Sequence, residues 1–176
     1  MNTRPRNILK VMATNGLLIA LVAIVTATVR IATPLTGGYI NLGDVLVLAC
    51  GYLLGGPRGA LVGGLGSAFA DLSGGHFIFV PGTLVIKGLE GFCAGMLGRD
   101  LNRCNSHLFR LAGGFCGASA MVGGYFLYEQ LIMGYYKALS AVIPNAIQGI
   151  IGMAGSLLLY PLLEKAFHQV TQKASP

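Results

Sequence analysis

Residues 8–29 read Ile-Leu-Lys-Val-Met-Ala-Thr-Asn-Gly-Leu-Leu-Ile-Ala-Leu-Val-Ala-Ile-Val-Thr-Ala-Thr-Val, with a single charge, Lys10, near the start. About 20 mainly apolar residues cross the hydrocarbon core of a bilayer as a helix. The run is too long for the apolar segment of a signal peptide, and no obvious cleavage site ends it. It therefore predicts a first membrane helix, with the basic residues Arg4, Arg6 and Lys10 at its N-terminal end.

Working outward, the rest of the chain has the same character. Of 176 residues, 54% are hydrophobic and only 10% charged, and the mean hydropathy is +0.70. A soluble domain is about 25% charged, so this chain cannot cover a water-facing surface. Disordered chains, coiled coils and most soluble enzymes are excluded. The 27 glycines follow no fixed period and lie within apolar runs, as in closely packed membrane helices.

Further apolar runs predict helices over about 44–54, 60–72, 83–97, 108–133 and 140–167, giving six spans in a single membrane domain, 1–176. Residues 30–43 read as a polar loop with Pro34, Gly37 and Gly38 as breakers. Residues 55–59 read as a turn, 73–82 as a loop closed by Pro81, and 134–139 as a short loop. Runs 44–54 and 60–72 are short for a full crossing and are expected to tilt or to end inside the protein. The net charge of +6 is not gathered into a nucleic-acid patch. Arg4, Arg6, Lys10, Arg58, Arg99, Arg103, Arg110, Lys165 and Lys173 fall on the side that carries the termini; Arg30 and Lys137 fall on the other. That asymmetry places both termini in the cytoplasm, and six spans preserve it.

Small residues form stripes. Gly16, Ala20, Ala23 and Ala27 share a face of the first helix, and Ala23-x-x-x-Ala27 permits close approach of another helix. That face serves either internal packing or a separate membrane partner. Gly59, Gly63 and Ser67, with Ala60, Gly64 and Ala68, form a second stripe, and Gly113 and Gly117 a third. For these, internal packing is the expectation.

A charge in hydrocarbon costs about 2.5–3.5 kcal/mol on insertion scales, so each ionisable residue in a span needs a reason. Asp44, Asp71, Lys87, Glu90 and Glu129 are such residues, and all but Glu90 fall towards the outer side, as do Asn145 and Gln148. Asn145 and Gln148 are three apart and Tyr125 and Glu129 four apart, so each pair shares a helix face. An ion pair such as Asp71 with Lys87 is one expectation. The other is an apolar-walled, outward-facing pocket with a few polar groups that orient a ligand. Tyr39, Phe77, Phe79, Tyr128, Tyr135 and Tyr136 either cap such a pocket or form an interfacial belt.

No Gly-Lys pair exists, so there is no Walker A loop. No H-E-x-x-H, nucleophile elbow or metal-ligand constellation occurs, and His76, His107 and His168 are scattered. Cys50, Cys93, Cys104 and Cys116 lack metal or disulfide spacing. No catalytic set assembles, so the chain reads as a binder or carrier and not as an enzyme. Residues 1–88 and 89–176 show no inverted repeat of the kind secondary carriers carry.

The order of Gly38-Tyr-Ile-Asn-Leu-Gly-Asp44, Leu54-Gly-Gly-Pro-Arg-Gly59, Gly63-Gly-Leu-Gly-Ser-Ala-Phe-Ala-Asp-Leu72 and Pro81-Gly-Thr-Leu-Val-Ile-Lys-Gly-Leu-Glu-Gly91 resembles the substrate-binding S components of energy-coupling factor (ECF) vitamin transporters. It looks most like the branch of riboflavin, hydroxymethylpyrimidine and pyridoxine carriers. Phe126-Leu-Tyr-Glu129 and Pro144-Asn-Ala-Ile-Gln148 fit the same branch.

The resemblance implies the all-α, six-helix S-component fold in a bacterial cytoplasmic membrane. It implies an ABC-type importer in which a transmembrane coupling subunit and two ATPases are partners and use ATP, with no cofactor in this chain. Ala20, Ala23 and Ala27 would dock on the coupling subunit, and the S component would topple in the membrane to deliver its vitamin. Tyr39, Asn41, Lys87, Tyr125, Tyr128, Glu129, Asn145 and Gln148 are the expected ligand residues. They suit a small flat heterocycle of the pyridoxine or hydroxymethylpyrimidine kind, with riboflavin the alternative. Outside the family, the rival readings are a stand-alone secondary transporter using Glu129 or Glu90 as a proton site, and a membrane assembly protein whose glycines only pack.

Overall fold

The computed structural model describes residues 4–33, 38–99 and 106–173. Pro34 and Gly37 of the first loop, and Arg103, Cys104 and Asn105 of the most polar loop, lie outside the described residues. Among the described residues there are six helices: α1 (Arg4–Thr28), α2 (Gly43–Leu54), α3 (Gly56–Ser73), α4 (Val80–Gly98), α5 (Ser106–Met133) and α6 (Tyr135–Lys173). Between α1 and α2 lies a hairpin, β1 (Arg30–Thr33) and β2 (Gly38–Asn41), antiparallel with Arg30 opposite Asn41 and Thr33 opposite Gly38. The sequence reading had only a loop there.

The other differences concern where helices start. The expected turn 55–59 shrinks to Gly55, whose φ of 85° only glycine adopts freely. Pro57 then sits in the first turn of α3, where its missing N–H costs nothing. Pro81 likewise opens α4 and does not close a loop. The expected loop 134–139 shrinks to Gly134, at φ 91°, after which α6 begins at once.

Four helices contain stretches long and apolar enough to cross a membrane: Ile8–Thr28, Val80–Gly98, Ser106–Met133 and Tyr135–Phe167. With 12 residues, α2 is about 18 Å long, well short of a ~30 Å hydrocarbon core. It survives because it is the centre of the bundle. It packs on α1, α3, α4 and α6, and all its residues except Val45 and Leu53 are buried. The hairpin sits at its N-terminal end.

Between helices in lipid, close packing replaces the hydrophobic drive, and the glycine stripes supply it. A Cβ on Gly59 of α3 would lie 2.6 Å from the Gly91 carbonyl oxygen of α4 and 2.8 Å from the Gly51 Cα of α2. Three helices thus meet backbone to backbone. Gly113 and Gly117 bring α5 equally close to the carbonyls of Ala94 and Glu90 on α4. Leu18 and Val22 of α1, Leu46, Val47, Cys50 and Leu54 of α2, and Val62 of α3 form an apolar core beside these contacts.

Candidate functional site

Five of the six helices, α1 and α3 to α6, contribute side chains to a cavity beside the hairpin. The walls come from Thr26 at the end of α1, Tyr39 and Asn41 of β2, Ser67 and Asp71 of α3, Thr83 and Lys87 of α4, Tyr125 and Glu129 of α5, and Pro144, Asn145 and Gln148 of α6, with Phe79 before α4. The enclosed space is about 40 Å³, enough for a few water molecules.

The floor is an ion-pair network. The Lys87 ammonium is bonded to Asp44 Oδ1 and, at 2.9 Å, to Glu90 Oε2; all three side chains are buried. Asp44 Oδ2 accepts from Gln148 Nε2 at 3.1 Å, and Gln148 Oε1 accepts from the Asn41 backbone N–H at 2.7 Å. Asn41 Oδ1 accepts the Gly43 N–H at 2.8 Å and so caps α2. Asp44, in the first turn of α2, also gains from the positive end of the helix dipole. The expected Asp71–Lys87 pair is not formed. Asp44 reaches Lys87 from the central helix, and Asp71 instead accepts from the Tyr39 hydroxyl at 2.5 Å.

The rim is built on Tyr39. Arg30 lies over its ring, 4.6 Å from the centroid, and His76 packs at 4.8 Å. Arg30 Nη2 also donates to the Ala70 carbonyl at 2.7 Å. Burial, together with the hydrogen bond to Asp71, pushes the Tyr39 hydroxyl well above the ordinary phenol range, so it stays a donor. Across the cavity, the Thr83 and Tyr125 hydroxyls are 3.0 Å apart, and the Lys87 ammonium lies 5.8 Å from the Tyr125 ring centroid.

Among the described residues, three wall atoms are buried without a hydrogen-bond partner: Thr26 Oγ1, Ser67 Oγ and Glu129 Oε2. Each such atom costs about 1–3 kcal/mol. The three atoms lie on three different helices, α1, α3 and α5, around one cavity.

Of the eight residues expected to touch ligand, Tyr39, Asn41, Lys87, Tyr125, Glu129, Asn145 and Gln148 line the cavity, and Tyr128 does not. Its hydroxyl donates to the Ile78 carbonyl at 2.6 Å, and its ring covers Gly82. Of the aromatics expected as a cap, Tyr39 and Phe79 line the cavity, whereas Phe77, Tyr135 and Tyr136 are exposed. Thr26, Ser67, Asp71 and Thr83 were not singled out as ligand residues. Hydroxyls in apolar helices usually bond back to the preceding turn, so the sequence carries no sign that Thr26 and Ser67 do otherwise. On the outside, Ala23 and Ala27 line a shallow apolar groove with Ile24, Phe69, Leu72 and Ser73; Ala20 is exposed beside it.

The described residues thus form a helical bundle, four of whose helices are long and apolar enough to cross a membrane, with a polar, partly unsatisfied cavity at one end. The chain matches the family described as ECF-type riboflavin transporter, S component, over residues 6–165, and it belongs to that family. Among similar proteins, the thiamine precursor transporter HmpT of Lactococcus lactis subsp. cremoris (strain MG1363) is 30% identical over 129 residues, 73% of this chain and 72% of that protein. An uncharacterized protein from a gap 3′ region of Pyrococcus woesei is 32% identical over 132 residues, 75% of this chain and 86% of that protein. The chain is thus an integral membrane protein and a vitamin-uptake S component. It is not an enzyme, and membership implies association with an ECF module.

Proposed function

We propose that this S component binds a small, flat, hydroxylated heterocycle of the hydroxymethylpyrimidine or pyridoxine kind in the cavity beside the hairpin. The observation that carries this reading is the set of orphaned atoms, Thr26 Oγ1, Ser67 Oγ and Glu129 Oε2, on three helices around one cavity. A ring between Tyr39 and Tyr125 would pair its hydroxyl and ring-nitrogen groups with them. The name of the Lactococcus relative supports a thiamine precursor. The family's description favours riboflavin as the second reading.

In the same reading, both termini are cytoplasmic and the cavity opens outward. The Ala23–Ala27 groove receives the coupling subunit, whose two ATPase partners supply energy. Cys104 is then closed to an impermeant thiol reagent in intact cells, and ready labelling refutes this orientation.

The test of substrate is a thermal-shift series on the purified chain with hydroxymethylpyrimidine, pyridoxine, thiamine and riboflavin. A ligand at 100 times its Kd adds about 2.7 kcal/mol of stability. Stabilisation by one of the first two supports the reading. Stabilisation by riboflavin alone moves the assignment to the second reading, and no stabilisation by any of the four overturns it.

A further inference from the structure

The cavity is unbalanced in charge. Its lining contains two carboxyl groups, Asp71 and Glu129, and one cation, Lys87. Lys87 is already shared between Asp44 and Glu90. Asp71 accepts from Tyr39. Glu129 is 4% exposed, and among the described residues its Oε2 has no hydrogen-bond partner. Among the described residues, the cavity lining offers no cationic side chain other than Lys87. Arg30 is outside the lining, with its guanidinium set on the Thr26 and Ala70 carbonyls and the Tyr39 ring. The adjacent N-terminus of α2 is taken by Asp44 in its first turn and by Asn41 Oδ1 on the Gly43 N–H.

We infer that Glu129 selects the ligand by charge: the site takes the free, hydroxylated form of a neutral or cationic heterocycle, with a donor group against Glu129, and rejects the phosphate ester of the same vitamin. This rests on the substrate class proposed above and adds a discrimination within it. A phosphate monoester carries about −1.5 to −2 charges at pH 7 and three strong acceptor oxygens. It is held where Arg, Lys or free backbone N–H groups converge. In this cavity it meets carboxyl groups instead, with little water to screen them. A ligand N–H or O–H has the opposite fate, because it supplies the partner that Glu129 Oε2 lacks.

Calorimetry on the purified full chain in detergent tests this with two pairs of probes: pyridoxine and pyridoxine 5′-phosphate, and hydroxymethylpyrimidine and its phosphate. For whichever alcohol binds, the parent is expected to prefer it to its ester by about 100-fold or more. Glu129→Gln keeps the shape and removes the charge, so it narrows that ratio about tenfold. Asn145→Asp, on α6 in the same lining, adds a charge and widens it. Size-exclusion elution verifies the fold of both variants. A parent that takes ester and alcohol equally overturns the inference. So does an unchanged ratio in both variants, which would mean that shape alone excludes the phosphate. If neither alcohol binds the parent at all, the substrate class itself is wrong, and the charge selection falls with it.

Discussion

Gln148 of α6 and Asn41 of the hairpin, 107 positions apart in the chain, are joined by a buried hydrogen bond of 2.7 Å from the Asn41 N–H to Gln148 Oε1. The other end of the same amide donates to Asp44 Oδ2 at 3.1 Å. One side chain thus registers the hairpin, the central helix and α6 against each other. Gln148 lines the cavity, but both ends of its amide are engaged within the protein.

Gln148→Leu therefore frees the hairpin and leaves Asp44 one donor short. Losing buried partners of this kind costs about 1–3 kcal/mol. The expected result is a 10- to 100-fold weaker affinity, seen mainly as faster dissociation in stopped-flow binding.

Lys87 is different in kind, because it neutralises the floor. Lys87→Met leaves Asp44 and Glu90 buried without a cation, a change that costs about 3–5 kcal/mol. A large drop in the thermal midpoint in detergent is expected. Lys87→Met combined with Asp44→Leu and Glu90→Leu recovers most of it, since the charges then disappear together. A Lys87→Met protein as stable as the parent would show that the network is unimportant to folding.

Thr26→Val and Ser67→Ala separate stability from binding. Each removes an orphaned buried hydroxyl, so folding is unaffected or improves by up to about 1 kcal/mol. Vitamin binding weakens about 5- to 10-fold in each. Calorimetry and thermal unfolding on the same samples measure both signs.

Gly59→Val tests the backbone contact. Its Cβ would lie 2.6 Å from the Gly91 carbonyl oxygen, and neither backbone can yield. Overpacking of this sort costs about 1–3 kcal/mol or more, and loss of the monodisperse peak on size exclusion is expected.

Ala23→Trp or Ala27→Trp fills the outer groove between α1 and α3 without touching the cavity. Uptake in cells is expected to fail while ligand binding by the purified chain persists. Loss of both would assign the stripe to internal packing.

The helices and the family were legible because runs such as 8–29 and the block 38–91 carry strong, continuous signals. The hairpin was not. Arg-Ile-Ala-Thr and Gly-Tyr-Ile-Asn are four residues each, too short for an alternation to emerge. The partner of Lys87 was misjudged because Asp44 and Asp71 both lie near outer helix ends, and depth alone cannot say which helix is central. Glu129, Asn145 and Gln148 stood out as polar groups in apolar runs, whereas Thr26 and Ser67 look like ordinary small residues of a packed helix. The restart of a helix at Tyr135 was hidden because Gly-Tyr-Tyr-Lys reads as a loop, and only the backbone of Gly134 reveals a single-residue hinge.

The shortness of α2 has a consequence for how the protein is made. Twelve residues with an aspartate in the first turn are a poor substrate for insertion into lipid one segment at a time. The carboxylate of Asp44 meets its lysine only when α4 has been synthesised, and its glutamine only when α6 has. Until then α2 has no stable place at the centre of a bundle that does not yet exist. A chain truncated before α6 therefore lacks the Gln148 partner of Asp44 and is expected to insert α2 less completely than the full chain, which protease protection of the truncated protein in membranes measures.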